Sequence, residues 1–231
     1  VYGACSSFIL ALINAGLIVS NNNKTYVIAF TSSSYATSER QFRFPIECGI
    51  QKKDSVTTTV TGASAAILGK RPTKVRIKRA TIGNVVDASW NNINDVGSPM
   101  SLAAYVTIKD HLHNFNVDPN YYDLILTGDL SRIGSKILLD CFKKDGRTLT
   151  NYNDAGNIIY HKNDKDVHAG GSGPACIGLV SMSLIMRKME KGELKRVLLV
   201  GTGALYSPTL TFQKHTIPIV AHAIELEVNE K

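Results

Sequence analysis

The spacing of apolar residues changes several times along the chain. Residues 6–19 carry almost no polar face, and a helix of that kind must be covered on most sides, so it is expected to run through the centre of a fold. Asn21-Asn22-Asn23 ends it. Residues 25–30 read as a short buried strand, followed by a Ser/Thr-rich loop over 31–38. Residues 56–68 have the pattern of a strand pair broken at Gly62, and 75–86 alternate at period two with β-branched residues, which predicts a strand.

In the second half the pattern predicts a helix over 98–115, a strand over 121–126 and an amphipathic helix over 131–144 that Gly146 stops. Residues 147–167 are polar and loop-like. The run from Ala169 to Pro174 leads into another helix, which Ser172 or Gly173 is placed to cap. Arg187, Lys188 and Lys191 complement its C-terminal dipole, and Gly192 ends it. Strands follow over 195–205 and 221–228. Strand, helix, strand is the unit of a mostly parallel, covered sheet. The order occurs twice, so an internally repeated α/β fold is expected, with halves at 1–86 and 87–231. Val1-Tyr2-Gly3-Ala4-Cys5 reads as the end of a strand entering a turn, so a preceding segment is expected.

Composition narrows the function. Of 231 residues, 44% are hydrophobic and 19% charged, an ordinary globular balance. The net charge of +7 raises nucleic acid and acidic membranes as partners. The densest basic run, from Lys70 to Arg79, alternates with apolar residues and fits a solvated strand face; no nucleic-acid partner is expected. The four cysteines show no paired spacing, which points to reduced thiols in a cytosolic compartment rather than zinc or disulfides. The longest apolar run, 8–19, is too short to span a bilayer and carries Asn14.

Candidate chemistry centres on Gly3-Ala4-Cys5-Ser6-Ser7. A thiol at a helix start meets the positive end of the dipole. No histidine has a spacing that identifies a base: His111 and His113 are expected in solvent, His168 precedes a glycine-rich turn, and His215 and His222 flank Ile217-Pro218. The turn Gly170-Gly171-Ser172-Gly173 either holds an anion on its N–H groups or serves close backbone packing. Ser38 to Arg43 form a polar cluster whose arginines suit a carboxylate.

The stretches TSSSYATSERQFRFP, TVTGASAAIL, ATIGNVVD, DPNYYDLILTGDLSRIG, HAGGSGPAC and KRVLLVGTGALYSP together resemble the stage V sporulation protein AD family. That family is similar to thiolases and β-ketoacyl-acyl-carrier-protein synthases. The resemblance implies a thiolase-like α/β fold with repeated halves, mixed sheets and buried central helices. It makes Cys5 the counterpart of the nucleophilic cysteine and leaves glycine-containing turns, at Gly128-Asp129 and Gly171-Ser172, where those enzymes keep a histidine and an asparagine. Loss of one such donor costs about 2.7–4 kcal/mol of transition-state stabilisation. The expectation is therefore no enzyme, with volume opened above Cys5 for a small planar acid. The implied ligand is dipicolinic acid or its calcium chelate, taken up into the developing spore. Expected ligand contacts are Cys5, Ser32, Arg40, Gln41, Arg43, Gly128, Asp129, Gly171 and Ser172. No cofactor is implied beyond calcium entering with the ligand. Spore-membrane channel proteins and a second copy of the chain are the implied partners, at the cytoplasmic side of the forespore inner membrane. The alternative is a working acyltransferase that uses Cys5.

Overall fold

The structure, a computed structural model, describes residues 1–38, 53–161, 164 and 167–229. Arg40, Gln41 and Arg43 lie outside the described residues. Five strands form the main sheet, in the order β4 (Val75–Ile82), β9 (Ile219–Val228), β8 (Arg196–Ala204), β5 (Leu124–Thr127) and β6 (Tyr152–Asp154). β9 is antiparallel to both neighbours, while β8, β5 and β6 run parallel. A two-stranded sheet pairs β1 (Tyr26–Ser33) antiparallel with β3 (Gly62–Gly69), from Tyr26 opposite Gly69 to Ser33 opposite Gly62. A short parallel pair joins β2 (Thr57–Thr59) to β7 (Gly170–Ser172).

Helices fill the layers between and outside these sheets. α2 (Gly97–Asn114) and α3 (Ser131–Lys144) cover one face of the main sheet, where Met100, Ile108, Leu138 and Phe142 pack against Leu198, Val200 and Ala221. On the other face lie α1 (Ser7–Ser20) and a long helix made of α5 (Cys176–Val180), a π turn over Ser181–Ile185 and α6 (Met186–Glu190). Phe8, Ile9, Leu12, Ile177 and Met189 pack there against Val197, Leu199 and Ile224, and Ala29 of β1 joins from the far side. Burying each such side chain contributes about 1.5–3 kcal/mol. α1 is thus the central helix that its missing polar face predicts, sandwiched between two sheets. The chain also repeats itself: α1, β1 and β3 follow the same order as α5–α6, β8 and β9, a helix and then two strands paired antiparallel.

Several expectations change. The strand expected to be buried over 25–30 is covered on one face only; Tyr26, Ile28 and Phe30 are exposed on the other, with Ile67 of β3 beside Ile28. Residues 56–68 do break near Gly62, but the two pieces pair with different partners rather than with each other. The segment 147–167 contains β6 and a short helix, α4 (Ala155–Ile158). β4, placed with the first half by the sequence pattern, is an edge strand of the sheet that the second half builds. Residues 1–3 form no strand; a turn of 3-10 helix at Ala4–Ser6 leads into α1.

His111 is the clearest reversal. Expected in solvent, it is fully buried under the main sheet. Its Nδ1 lies 2.8 Å from Thr81 Oγ1 and its Nε2 lies 2.8 Å from Tyr122 Oη. Tyr122 donates to Glu225 Oε2 at 3.2 Å, and Arg79 stands 3.4 Å from the same buried carboxylate. With the Tyr122 hydroxyl donating to Glu225, Nε2 donates to the tyrosine oxygen, and in the neutral ring Nδ1 accepts from Thr81. Burial, with Arg79 adding to it, lowers the His111 pKa to about 4. The unfolded chain takes up this proton near pH 6.5 and the folded chain does not until about pH 4, so stability falls as pH drops through that interval. We expect urea titrations to show up to about 3 kcal/mol of such loss, and a His111→Gln variant to show a flatter dependence over the same range.

Candidate functional site

β8 brings two glycines against the first turn of α1. A Cβ on Gly201 would lie 2.7 Å from Ile9 Cγ1, and one on Gly203 would lie 2.4 Å from the Gly3 carbonyl oxygen. Backbone therefore rests on backbone, and the turn that carries Cys5 is fixed relative to the sheet. Ser6 Oγ donates to Gly3 O at 2.6 Å, Ser7 Oγ donates to Ala4 O at 2.6 Å, and Gly3 N donates to Ser7 Oγ at 3.0 Å. Ala4, just before the cysteine, has φ +49°, a left-handed conformation that a residue with a Cβ adopts at a cost of about 1–3 kcal/mol. The result is a sharp elbow that leaves Cys5 half-buried at the start of the helix.

Two loop segments face this elbow. One follows β5 and carries Asp129, fully buried; the other is β7 and carries Ser172, also buried. Cys5 Sγ lies 3.7 Å from Ser172 Oγ. Ser172 Oγ donates to Asp129 Oδ1 at 3.3 Å, and Gly173 N donates to the same oxygen at 2.8 Å. Thiol, hydroxyl and carboxyl thus stand in a row. Cys176, at the start of α5, lies close behind; burial pushes its thiol well above the ordinary range, with the carboxyl groups of Asp129 and Asp154 adding to the effect.

Asp154 holds the two loops in place. Its Oδ1 accepts from Ser131 N at 2.8 Å and Gly156 N at 2.9 Å; its Oδ2 accepts from Leu130 N at 3.0 Å and Thr127 Oγ1 at 2.6 Å. Ser131, at φ +53°, then donates its hydroxyl to Gly171 O at 2.8 Å. Complete burial raises the Asp154 pKa to about 6, against the pull of those four donors, so the group is a carboxylate at neutral pH. Sequence reasoning passed over it inside a polar segment. The available signal was Asp-Ala-Gly at a strand end, where Asp154 caps α4.

Of the residues expected at the site, the fold brings together Cys5, Asp129 and Ser172. Ser32 is exposed on the outer face of β1, away from the core side on which Ser33 donates to Val60 O. Gly128 and Gly171 do not open a space above Cys5. A Cβ on Gly128 would lie 3.2 Å from Ile177, and one on Gly171 would lie 2.6 Å from Ile159 and 3.1 Å from Val60, inside packed core. The glycine-rich turn also differs from an anion nest: it forms β7 against β2, its Gly173 amide is committed to Asp129, and α5 begins only at Cys176 without a side-chain cap. Among the other histidines, His222 is buried and accepts from Gly83 N at 3.2 Å, while His215 is exposed.

A cysteine elbow on a central helix, facing two loops at the ends of neighbouring strands, is the arrangement of the thiolase-like fold. The structure superposes on β-ketoacyl-[acyl carrier protein] synthase III from Thermus thermophilus with a TM-score of 0.60 at 14% identity, over 99% of this chain and 67% of that one. It superposes on an OleA variant from Xanthomonas campestris crystallised with cerulenin with a TM-score of 0.58 at 17% identity, over 97% of this chain and 62% of that one. Within that class the chain belongs to the Stage V sporulation protein AD (SpoVAD) family, whose profile matches residues 1–227. It is 44% identical over 227 residues to Stage V sporulation protein AD of Bacillus subtilis, covering 98% of this chain and 67% of the relative. The chain therefore spans about two thirds of the length of these proteins.

Two substitutions test the construction of the site. Asp154→Asn places an amide NH2 against backbone and hydroxyl donors and should lower unfolding free energy by about 2–4 kcal/mol, read from urea melts. Gly203→Ala drives a methyl group into the Gly3 carbonyl and should cost about 1–3 kcal/mol. It should also change the rate at which Cys5 reacts with a thiol reagent, whereas that of the more distant Cys141 stays as it was.

Proposed function

We propose that this protein binds dipicolinic acid as its calcium chelate during uptake into the developing spore, without turning over an acyl-thioester. Membership of a sporulation protein family supports the setting. The observation that carries the reading is the row Cys5, Ser172, Asp129. In place of an imidazole and a carboxamide, the two loops present a hydroxyl and a carboxyl. The side chain of Asp129 accepts from Ser172 and Gly173 and brings no N–H donor that would stabilise an oxyanion. It is a poor neighbour for a free dianion but a good one for a hard cation that the dianion has already chelated. In this reading calcium is cargo, Asp129 supplies it an oxygen, and Ser172 and Cys5 border the aromatic acid. A homodimer that docks on spore-membrane channel proteins, peripheral to the forespore inner membrane, completes the proposal.

A second reading has one observation in its favour. If Ser172 donates to Asp129, its oxygen can accept the Cys5 thiol proton, a relay that would activate the cysteine for acyl transfer. Mass spectrometry of the protein after incubation with an acyl-thioester separates the two: an acyl adduct on Cys5 favours the relay, an unmodified cysteine the binding protein.

Calorimetry of the full-length protein tests the binding site directly. Asp129→Asn keeps an oxygen for Gly173 N and Ser172 Oγ while removing the charge. Affinity for calcium dipicolinate should fall more than tenfold, about 1.4 kcal/mol, while affinity for metal-free dipicolinate stays level or rises. Equal weakening of both, or of neither, means that Asp129 does not face the cation.

A further inference from the structure

The end of the molecule away from Cys5 carries nearly all of its excess charge. α1 leads from the cysteine elbow to Ser20, about 20 Å at 1.5 Å per residue, and β8 runs the same length back from Arg196 to Gly203 beside Gly3. At the far end, hydrogen bonds join the links between elements. Lys70 Nζ donates to Ser20 O at 3.2 Å, Asn229 N to Lys74 O at 2.8 Å and Val228 N to Lys195 O at 2.8 Å. The amides of Lys195 and Arg196 donate to Asp123 Oδ2 at 2.6 and 2.9 Å. Residues 69–76 carry four basic side chains and no acidic one. Residues 187–196 carry five against Glu190 and Glu193; Lys24 makes ten, and Asp123 and Glu227 bring the acids to four. The surplus on these segments is six, against +7 for the whole chain.

Apolar side chains stand exposed among these charges. Leu17 and Tyr26 are 49% and 48% accessible at the end of α1 and the start of β1, and Leu184, 40% accessible, sits one turn before Arg187. The Arg71 guanidinium lies 5.8 Å from the centre of the Tyr26 ring. We propose that this end is a docking surface for an anionic lipid bilayer. Lysine and arginine heads near such a surface are attracted from within a Debye length, and leucine and tyrosine among them can enter the headgroup boundary. A polynucleotide would use the same charge, but it has no use for exposed leucine. Docked this way, the protein holds the Cys5 elbow about 20 Å from the headgroups, facing away from them.

Vesicle sedimentation with the full-length protein tests this. Vesicles of phosphatidylglycerol with phosphatidylcholine should bind the protein and release it as salt is raised; phosphatidylcholine alone should not bind it. Combining Lys70→Gln, Arg71→Gln, Lys188→Gln and Lys191→Gln should lower the partition coefficient about a thousandfold, at about 1 kcal/mol for each charge. The pair Lys188→Gln and Lys191→Gln alone should lower it about thirtyfold by the same measure, which covers the case in which the fourfold variant fails to fold. A control with three exposed basic residues changed at the Cys5 end, Lys53→Gln, Arg132→Gln and Lys214→Gln, should bind vesicles as the parent does. Equal binding to neutral vesicles, no binding to anionic ones, or the same loss in the control would overturn the proposal. So would displacement from vesicles by duplex DNA at equal phosphate concentration, which would assign the surface to nucleic acid.

Discussion

A contact with no room for a side chain fixes the geometry of the site. Where β8 meets the first turn of α1, Gly201 and Gly203 let the helix start rest on the strand, and a methyl group at either would meet an atom closer than 3 Å. Because α1 is apolar on nearly every side, it can lie between the main sheet and the β1–β3 pair. Its position in turn determines where Ala4 must turn, and Ala4 takes the left-handed conformation that raises Cys5 at the helix start. The chemistry at the elbow is thus a consequence of packing several residues away.

Two buried carboxyl groups divide the remaining work. Asp154 is surrounded by four donors and serves the backbone, tying the end of β5 to the helix start beyond it. Asp129, two residues past the end of β5, turns toward the serine and cysteine instead. A buried charge is tolerated when its hydrogen bonds are made, and removing its partners leaves a large penalty. The pair therefore separates an anchor of the backbone from a carboxyl group in line with the serine and the thiol. The same separation holds on the opposite face of the sheet, where Glu225 is enclosed by Tyr121, Tyr122 and Arg79 and has no role at the elbow.

Much of the fold was legible because its signals are local. The apolar run of α1, the alternation of β4 and the glycine that follows α3 each state an element within a few residues. Partnership was less legible. Nothing near Thr57 announces that β2 will pair with Gly170 more than a hundred residues on, and nothing near His111 announces that a helix written with ordinary polarity will turn that ring inward. At the site, the family resemblance named Cys5, Asp129 and Ser172, which the fold brings together, and also Gly128 and Gly171, which open no space beside them. Those glycines were taken as vacated space, whereas they admit core side chains, Ile177 at Gly128 and Ile159, Val60 and Tyr160 at Gly171. Spacing alone could not separate neighbours whose side chains leave a strand end in opposite directions.

The β1–β3 ribbon carries a different consequence. Tyr26, Ile28, Phe30 and Ile67 form an uncovered row on its outer face, whereas the matching pair, β8 and β9, has helices on both faces and a further strand on each side. Among the described residues, neither edge of the ribbon is taken up by another strand. Exposed apolar side chains beside open strand edges invite strand addition and self-association. A single charged residue placed among those four side chains would act as a gatekeeper against self-association of this chain.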